Sequence, residues 1–371
     1  MLCMQTFAYF FCGYRQSFAY YEKESSLKTY ATLKDVAKRA GTTAATVSYV
    51  LNEKEGRYIS EETKKKVLDA ARELDYVKCN GASSLKGKKR KLIGILIPQF
   101  ENQFFTRIVI SSEAIFVKHG YDLIICNTLD SPEREKAILN RMIQQRVDGI
   151  ILTPTKEGTQ NTELIRRVGM KMVVVDRPLP GVKDFFWVAT NNYGCGYVGA
   201  HYLMHKGHRK IGYVGWNSKI PDLEARREAV FAAAEDSGVD VQGICVAEGG
   251  FSAEEGYRLT AQLLSDHPDI TAIFYGFNIQ ALGGIKCLTE RNISIPEDLS
   301  VMIIGSPEWV RAGKNDFTHV DMNDLELGKK AANLLLDQIQ SDDEVPYQHI
   351  IQDCTLVEGS SVCDITKRRE K

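Results

Sequence analysis

No apolar run in this chain of 371 residues approaches the ~18 that a membrane-spanning helix needs. The nine cysteines, at positions 3, 12, 79, 126, 195, 245, 287, 354 and 363, are odd in number and scattered, and none forms a C-x-x-C pair. That pattern excludes a disulfide framework or a zinc site and suits a reducing cytoplasm. No G-x-S-x-G elbow, P-loop or paired-carboxylate spacing occurs, so the chain offers no catalytic constellation. Net charge is almost absent as well, at −1, which by itself disfavours a nucleic-acid partner.

The distribution of charge says otherwise. From Lys28 to Lys91 the chain has 16 Lys and Arg against 8 Asp and Glu. Residues 1–27 balance, so residues 92–371 carry −9 of the chain's total of −1. A basic end on an acidic body suits phosphate contacts made by that end alone.

Within the basic end lies TLKDVAKRAGTTAATVSYVLN, residues 32–52. Leu33, Val36, Ala37 and Ala40 follow helical spacing, and Gly41 breaks it. Thr32 suits an N-cap, with Asp35 three residues on as a short capping box. Thr43 can cap a second helix that turns Val47, Val50 and Leu51 inward and leaves Ala44, Ala45, Ser48 and Tyr49 facing outward. Two short helices about a Gly turn form the unit whose second helix enters a DNA major groove. Ser60 caps a third helix over 61–73, with Val67, Leu68, Ala71 and Leu74 inward. From Leu92 the pattern changes to alternating strands and helices, which implies parallel sheets covered on both faces. Strands are expected at 92–98, 122–126, 149–154, 172–176, 186–190, 210–215, 244–249, 272–276 and 300–305. Helices are expected at 105–119, 133–146, 192–206, 224–237 and 253–266. A ligand site in such a fold lies at the carboxyl ends of the strands.

Residues 32–52 resemble the headpiece of the lactose-repressor/galactose-repressor (LacI/GalR) family, T-[IL]-x-D-V-A-x-x-A-G-V-S-x-x-T-V-S-R-V-L-N. Thr32, Leu33, Asp35, Val36, Ala37, Ala40, Gly41, Thr46, Val47, Ser48, Val50, Leu51 and Asn52 match; Thr42, Thr43 and Tyr49 depart from it. The resemblance continues to about residue 360 through RVDGIIL (146–152), VVVDRP (173–178), HYLMHKGHRKIGYV (201–214) and IPEDLSV (295–301). It implies an all-α helix-turn-helix headpiece at 29–78 and a hinge helix and linker at 79–91. An α/β periplasmic-binding-protein-like sensor at 92–360 has two subdomains with parallel sheets, and 361–371 is a charged tail. The nearer subdomain maps to about 91–190 plus 306–336, the farther to about 191–305 plus 337–371.

Family headpieces begin a few residues before the motif, which leaves residues 1–28 as an extension. They are aromatic-rich, without the basic region and cleavage site of a secretory signal. Start-site choice, with translation beginning near Leu27, and a real aromatic appendage both remain open.

The resemblance implies a cytoplasmic, effector-controlled DNA-binding regulator, a repressor, acting as a homodimer on a pseudo-palindromic operator, with no cofactor, metal or membrane partner. Its DNA-contacting positions are Thr32, Thr42, Thr43, Ala44, Ala45, Thr46, Ser48, Tyr49, Asn52, Tyr58, Ser83 and Leu85. Ala44, Ala45 and Tyr49 read bases, Thr43 and Asn52 hold phosphates, and Leu85 wedges the central base step. The effector positions are Phe104, Phe105, Asp176, Arg227, Phe251 and Asn278, with Arg227 as the forked donor. At 278 the family has Asp, and the family F-D-[DN] appears as Gly305-Ser306, so an altered or lost small-molecule response is a second reading.

Competing classes fare worse. Gly194-Cys195-Gly196-Tyr197-Val198-Gly199 is a literal G-x-G-x-x-G, but the acid that a dinucleotide site needs after the next strand is replaced by Trp216-Asn217. His201 and His205 stand at i, i+4 without the Glu of a zinc protease, and His208 reads as structural. An extracytoplasmic solute-binding protein would share the sensor but needs a signal peptide and no headpiece.

Overall fold

The computed structural model describes residues 31–51, 58–76, 89–156, 158–311, 316–341 and 343–367. It divides into two units, Met1–Lys88 and Lys89–Lys371.

In the first unit, helices α1 (Leu33–Arg39), α2 (Ala44–Leu51) and α3 (Glu61–Glu73) close around Val36, Ala37, Val47, Val67 and Ala70. Gly41 makes the turn with φ +64°, a conformation that a Cβ would oppose. Leu68, expected inward, is 48 % exposed. The buried stripe centres on Val67 and runs through Ala70, and Leu68 sits about 100° away from it.

The second unit holds two six-stranded sheets. The first contains β1 (Leu92–Ile97), β2 (Asp122–Asn127), β3 (Gly149–Leu152), β4 (Lys171–Val175), β5 (Phe186–Thr190) and β11 (His349–Gln352), ordered β11-β5-β4-β3-β1-β2 and parallel throughout. The second contains β6 (Ile211–Trp216), β7 (Ile244–Gly249), β8 (Ala272–Tyr275), β9 (Ser300–Ile304), β10 (Thr318–Asp321) and β12 (Thr355–Val357), ordered β12-β10-β9-β8-β6-β7. Only the β10–β12 pair is antiparallel. The helices are α4 (Gln103–Lys118), α5 (Pro132–Gln145), α6 (Gly158–Arg167), α7 (Asn192–His205), α8 (Pro221–Asp236), α9 (Ala253–Asp266), α10 (Asn278–Glu290) and α11 (Asp324–Gln340).

The expected subdomain boundaries need correcting at the end of the chain. β10 belongs to the second sheet, whereas α11 packs on α4 and strands β3 to β5, and β11 joins the first sheet. The chain therefore passes between lobes after Thr190, after Asp321 and after Gln352. Strands of three or four residues with mixed polarity, THVD, HIIQ and TLV, give too weak a periodic signal to place those last two passages from sequence.

Candidate nucleic-acid interface and ligand cavity

The helix-turn-helix is fixed by its caps. The Thr32 hydroxyl accepts from the Asp35 amide at 3.3 Å, and the Asp35 carboxylate accepts from the Thr32 amide at 2.8 Å and from its hydroxyl at 2.6 Å. These bonds, that from the Thr32 side chain foremost, hold the Asp35 carboxyl below its usual range. Thr43 accepts from the Thr46 amide at 3.2 Å and so caps α2. Such a cap contributes about 1 kcal/mol. On α2, Ala45 is exposed and Thr46, Ser48 and Tyr49 are half-buried. Ala44, expected outward, packs against the headpiece core. Thr43 and Thr32 are exposed, Thr42 is half-buried, and Tyr58 is 95 % exposed. Asn52, Ser83 and Leu85 lie outside the described residues.

In the sensor, a cavity of about 250 Å³ gathers the ends of strands from both lobes. Pro98 follows β1, Asp176 and Arg177 follow β4, Trp216 ends β6, and Phe277 and Asn278 follow β8. Five of the six expected positions line it: Phe104, Phe105, Asp176, Phe251 and Asn278.

The sixth, Arg227, does not. It is half-buried and ion-paired to Glu248 at 2.6 Å. Its neighbour Arg226 lines the cavity instead. The buried face of α8 is Leu223, Arg226, Ala229, Val230, Ala233 and Ala234, and one residue of register moves a side chain about 100° off that stripe. The Arg226 guanidinium donates to Asn192 Oδ1 at 2.7 Å, to the Gly276 carbonyl at 2.7 Å and to Met322 Sδ at 3.2 Å, and lies 4.6 Å from the Phe277 ring centre. Apolar periodicity could have found it, since an Arg inside an Ala/Val/Leu stripe is conspicuous.

The aromatic wall extends beyond the expected Phe251. Trp216, Phe251 and Phe277 meet at ring-centre distances of 4.8, 5.8 and 5.6 Å, a tilted pair and two edge-on contacts. Phe104 and Phe105 meet edge-on at 5.1 Å. Aromatic walls with a few polar groups suit a flat, ring-bearing ligand. Arg177 donates to Asp130 at 2.5 Å, and its buried Nε finds no partner among the described residues. Asn278 lies against Gly305, where a Cβ would stand 3.0 Å from Asn278 Nδ2. The two departures from the family pattern are thus adjacent in space.

Asp176 is 5 % exposed, and burial pushes its carboxyl up to about 6 despite the Arg177 charge beside it. Its ordinary value is 3.8, so between pH 3.8 and about 6 the folded protein keeps a proton that the unfolded chain has released. Stability from this group falls as pH rises through that window. Asp176→Asn removes the effect, and Asn tolerates the native φ of +69°. The variant is expected to be more stable than the parent by up to about 3 kcal/mol at pH 7.5 and equal to it below pH 4. Urea titrations at both pH values check this; an equal gain at both would place the effect elsewhere than in the charge.

The other singled-out residues have structural roles. Gly196 and Gly199 let α7 approach α8 and the Phe274 ring. His208 is buried between Thr271 and the Cys363 carbonyl, and His201 is exposed and stacks on Tyr197. Among the described residues no cluster of three His, Cys, Asp or Glu could hold a metal, and no helix is long and apolar enough to cross a membrane.

Comparison with known proteins agrees with this architecture. Residues 32–78 match the model for bacterial regulatory proteins of the lacI family, and residues 200–362 match that for a periplasmic binding protein-like domain. The HTH-type transcriptional repressor PurR of Haemophilus influenzae (strain PittEE) is 32 % identical over 326 residues, 88 % of this chain and 96 % of its own. The lac repressor dimer bound to operator and the anti-inducer ONPF superposes with a TM-score of 0.75 at 23 % identity, covering 90 % of this chain and 100 % of that one. A LacI family regulator from Enterococcus faecium with bound ribose gives 0.67 at 26 % identity, over 74 % of this chain and 99 % of that one. A capped helix-turn-helix and a two-lobed sensor in one chain, aligned with such a relative over nearly its whole length, place this protein in the LacI family of bacterial regulatory proteins.

Proposed function

We propose that this protein is a cytoplasmic transcriptional repressor that binds a pseudo-palindromic operator as a homodimer and answers to a small metabolite, with no catalytic step. The observation that carries the reading is the presence in one chain of a capped helix-turn-helix and of a cavity built from both lobes of the sensor. A ligand touching both lobes favours one relative arrangement of them, and by linkage the operator and the ligand then change each other's affinity equally.

Base contact falls to Ala44, Ala45 and Tyr49, with Ala44 half-buried against the headpiece core and so the least available of the three. Thr32, Thr42, Thr43, Thr46, Ser48, Asn52 and Tyr58 position the unit on the backbone, and Ser83 and Leu85 act at the hinge. Alanine can meet only a thymine methyl, so direct readout is thin and the hinge carries much of the specificity.

For the cavity, the aromatic grouping around Trp216 supports a ring-bearing polar molecule, a sugar or a related metabolite of similar size. The relative from Enterococcus faecium has bound ribose, a molecule of that kind. A second reading, an altered ligand preference, is favoured by the uncharged Asn278 amide packed on Gly305.

Genome-wide footprinting of the full chain tests the reading. Two half-sites about 10 base pairs apart, or a multiple of one turn, are expected. Enrichment without dyad symmetry, or none above bulk DNA, would refute it. Genes beside the sites then name the metabolite to be tried.

A further inference from the structure

The sensor's two sheets are built alike, yet their outer ends differ in charge. By place in the sheet order, β1, β3, β4 and β5 correspond to β6, β8, β9 and β10. These inner strands start at the end of each lobe remote from the cavity. In the first lobe the four residues leading into each, 89–92, 146–149, 168–171 and 183–186, include six Lys and Arg against two Asp. In the second, 208–211, 269–272, 297–300 and 315–318 include two Lys and Arg against four Asp and Glu. The helices add to the contrast. Before β4, α6 ends in Arg166-Arg167, whereas before β9, α10 ends in Thr289-Glu290.

Pairing sharpens the difference. In the second lobe Arg209 donates to the Met204 and His208 carbonyls, and Lys210 is ion-paired with Asp269. In the first, Arg166, Lys171 and Lys183 are exposed, and their side chains have no hydrogen bond or ion pair among the described residues. Asp148 is engaged by main chain, accepting from the Arg90 and Lys91 amides at 2.9 and 2.7 Å, and Glu163 pairs with Arg167 at 3.2 Å. Asp184 and Glu344, beside Arg166 and Lys171, still leave the row net positive. Helix dipoles are not the cause, since both lobes turn helix carboxyl ends the same way. With neighbouring strands about 4.8 Å apart, the row across β5, β4, β3 and β1 spans about 14 Å, the rise of about four phosphates on one DNA strand. The chain also enters the sensor at this end. Residues 77–88 join it to the headpiece, and a chain of that length reaches about 40 Å at most.

We propose that the strand-start end of the first lobe is a second DNA-contacting surface, which sets Arg166, Lys171 and Lys183 against phosphates flanking the sequence that the headpiece grips. The inference rests on the reading of the chain as a DNA-bound regulator and gives the sensor its own hold on the duplex. Such contacts read no bases. They add affinity and salt dependence, because each phosphate neutralised releases counterions.

Full-length protein and a random-sequence duplex of about 60 base pairs test this, with affinity followed by fluorescence anisotropy from about 50 to 200 mM KCl. In the triple variant Arg166→Gln/Lys171→Gln/Lys183→Gln, the slope of log affinity against log salt should become shallower by about 2–3, at about 0.9 per lost phosphate contact. Binding at the low-salt end should weaken severalfold. All three side chains are exposed and unbonded among the described residues, so the melting temperature should match the parent's. A matched variant of the second lobe, Lys210→Gln/Lys286→Gln/Lys367→Gln, loses the same charge from exposed positions and should keep the parent slope. An unchanged slope in the first variant would overturn the proposal. So would an equal change in both, which would reduce the effect to net charge. A parent that binds no duplex at all would refute the regulatory reading itself, whereas a parent that binds, with the first variant's slope unchanged, overturns this inference alone.

Discussion

Arg226→Leu is expected to cost the sensor about 3 kcal/mol or more at pH 7.5, and to do so in a pH-dependent way. The side chain fits the hydrophobic stripe of α8, so what is lost is its charge and its donors. Asn192, the Gly276 carbonyl and Met322 lose their partner. Two acids are affected as well. Burial raises the carboxyls of Asp176 and Asp222, and the Arg226 charge is among the groups that offset it. Without that charge both ionise at higher pH still, and at neutral pH the folded state carries the full penalty. Near pH 5 the Asp176 carboxyl takes up its proton in the folded protein, so the variant's deficit should shrink by about 1 kcal/mol or more. All three tryptophans, Trp187, Trp216 and Trp309, lie in the sensor, so urea unfolding followed by their fluorescence reports this unit alone. A loss of the same size at pH 5 and 7.5 would show that Arg226 only fills space. Arg226→Lys, which keeps charge without the fork, should fall between parent and Leu.

Gly196→Ala is the second large effect expected, and it acts through the backbone. A Cβ at this position would stand 2.1 Å from the Arg226 carbonyl oxygen. No rotamer relieves a clash with main chain, so α7 and α8 must separate. Overpacking of this kind costs about 3 kcal/mol, roughly 6–12 °C in melting temperature for a unit of this size. The separation also draws Arg226 away from Asn192 on the facing helix. An unchanged melting temperature would mean that the helices do not meet as closely as described. The result also bears on the G-x-G-x-x-G at 194–199, whose glycines are here explained by helix packing and not by a pyrophosphate.

The headpiece was legible because its determinants are local. Caps at Thr32, Thr43 and Ser60 and the turn at Gly41 each act within four residues, and the nine expected strands fall on observed ones within two residues at either end. What failed locally was facing. Leu68 and Ala44 sit at the margins of their apolar stripes, and only the packed partner helices decide which side of a margin is covered. The weak late strands β10, β11 and β12 were missed because their assignment depends on which sheet edge is open to receive them.

Five of six cavity positions were readable from motif resemblance, and the sixth was off by one residue. A motif fixes spacing within its own segment, but the register of α8 against the cavity is set by its apolar face. By itself, then, the sequence determined the kind of molecule this is: a basic helical reader joined to an α/β sensor with a site at the strand ends. Tertiary structure alone decided that Arg226 enters the cavity and Arg227 faces Glu248. It alone brought Asn191 and Asn323, each on a segment that crosses between the lobes, to the third crossing segment at Asp353. The reason is physical: caps, turns and periodicity are short-range effects written in neighbouring residues, whereas a cavity wall or a junction of crossing segments exists only where distant segments are packed together.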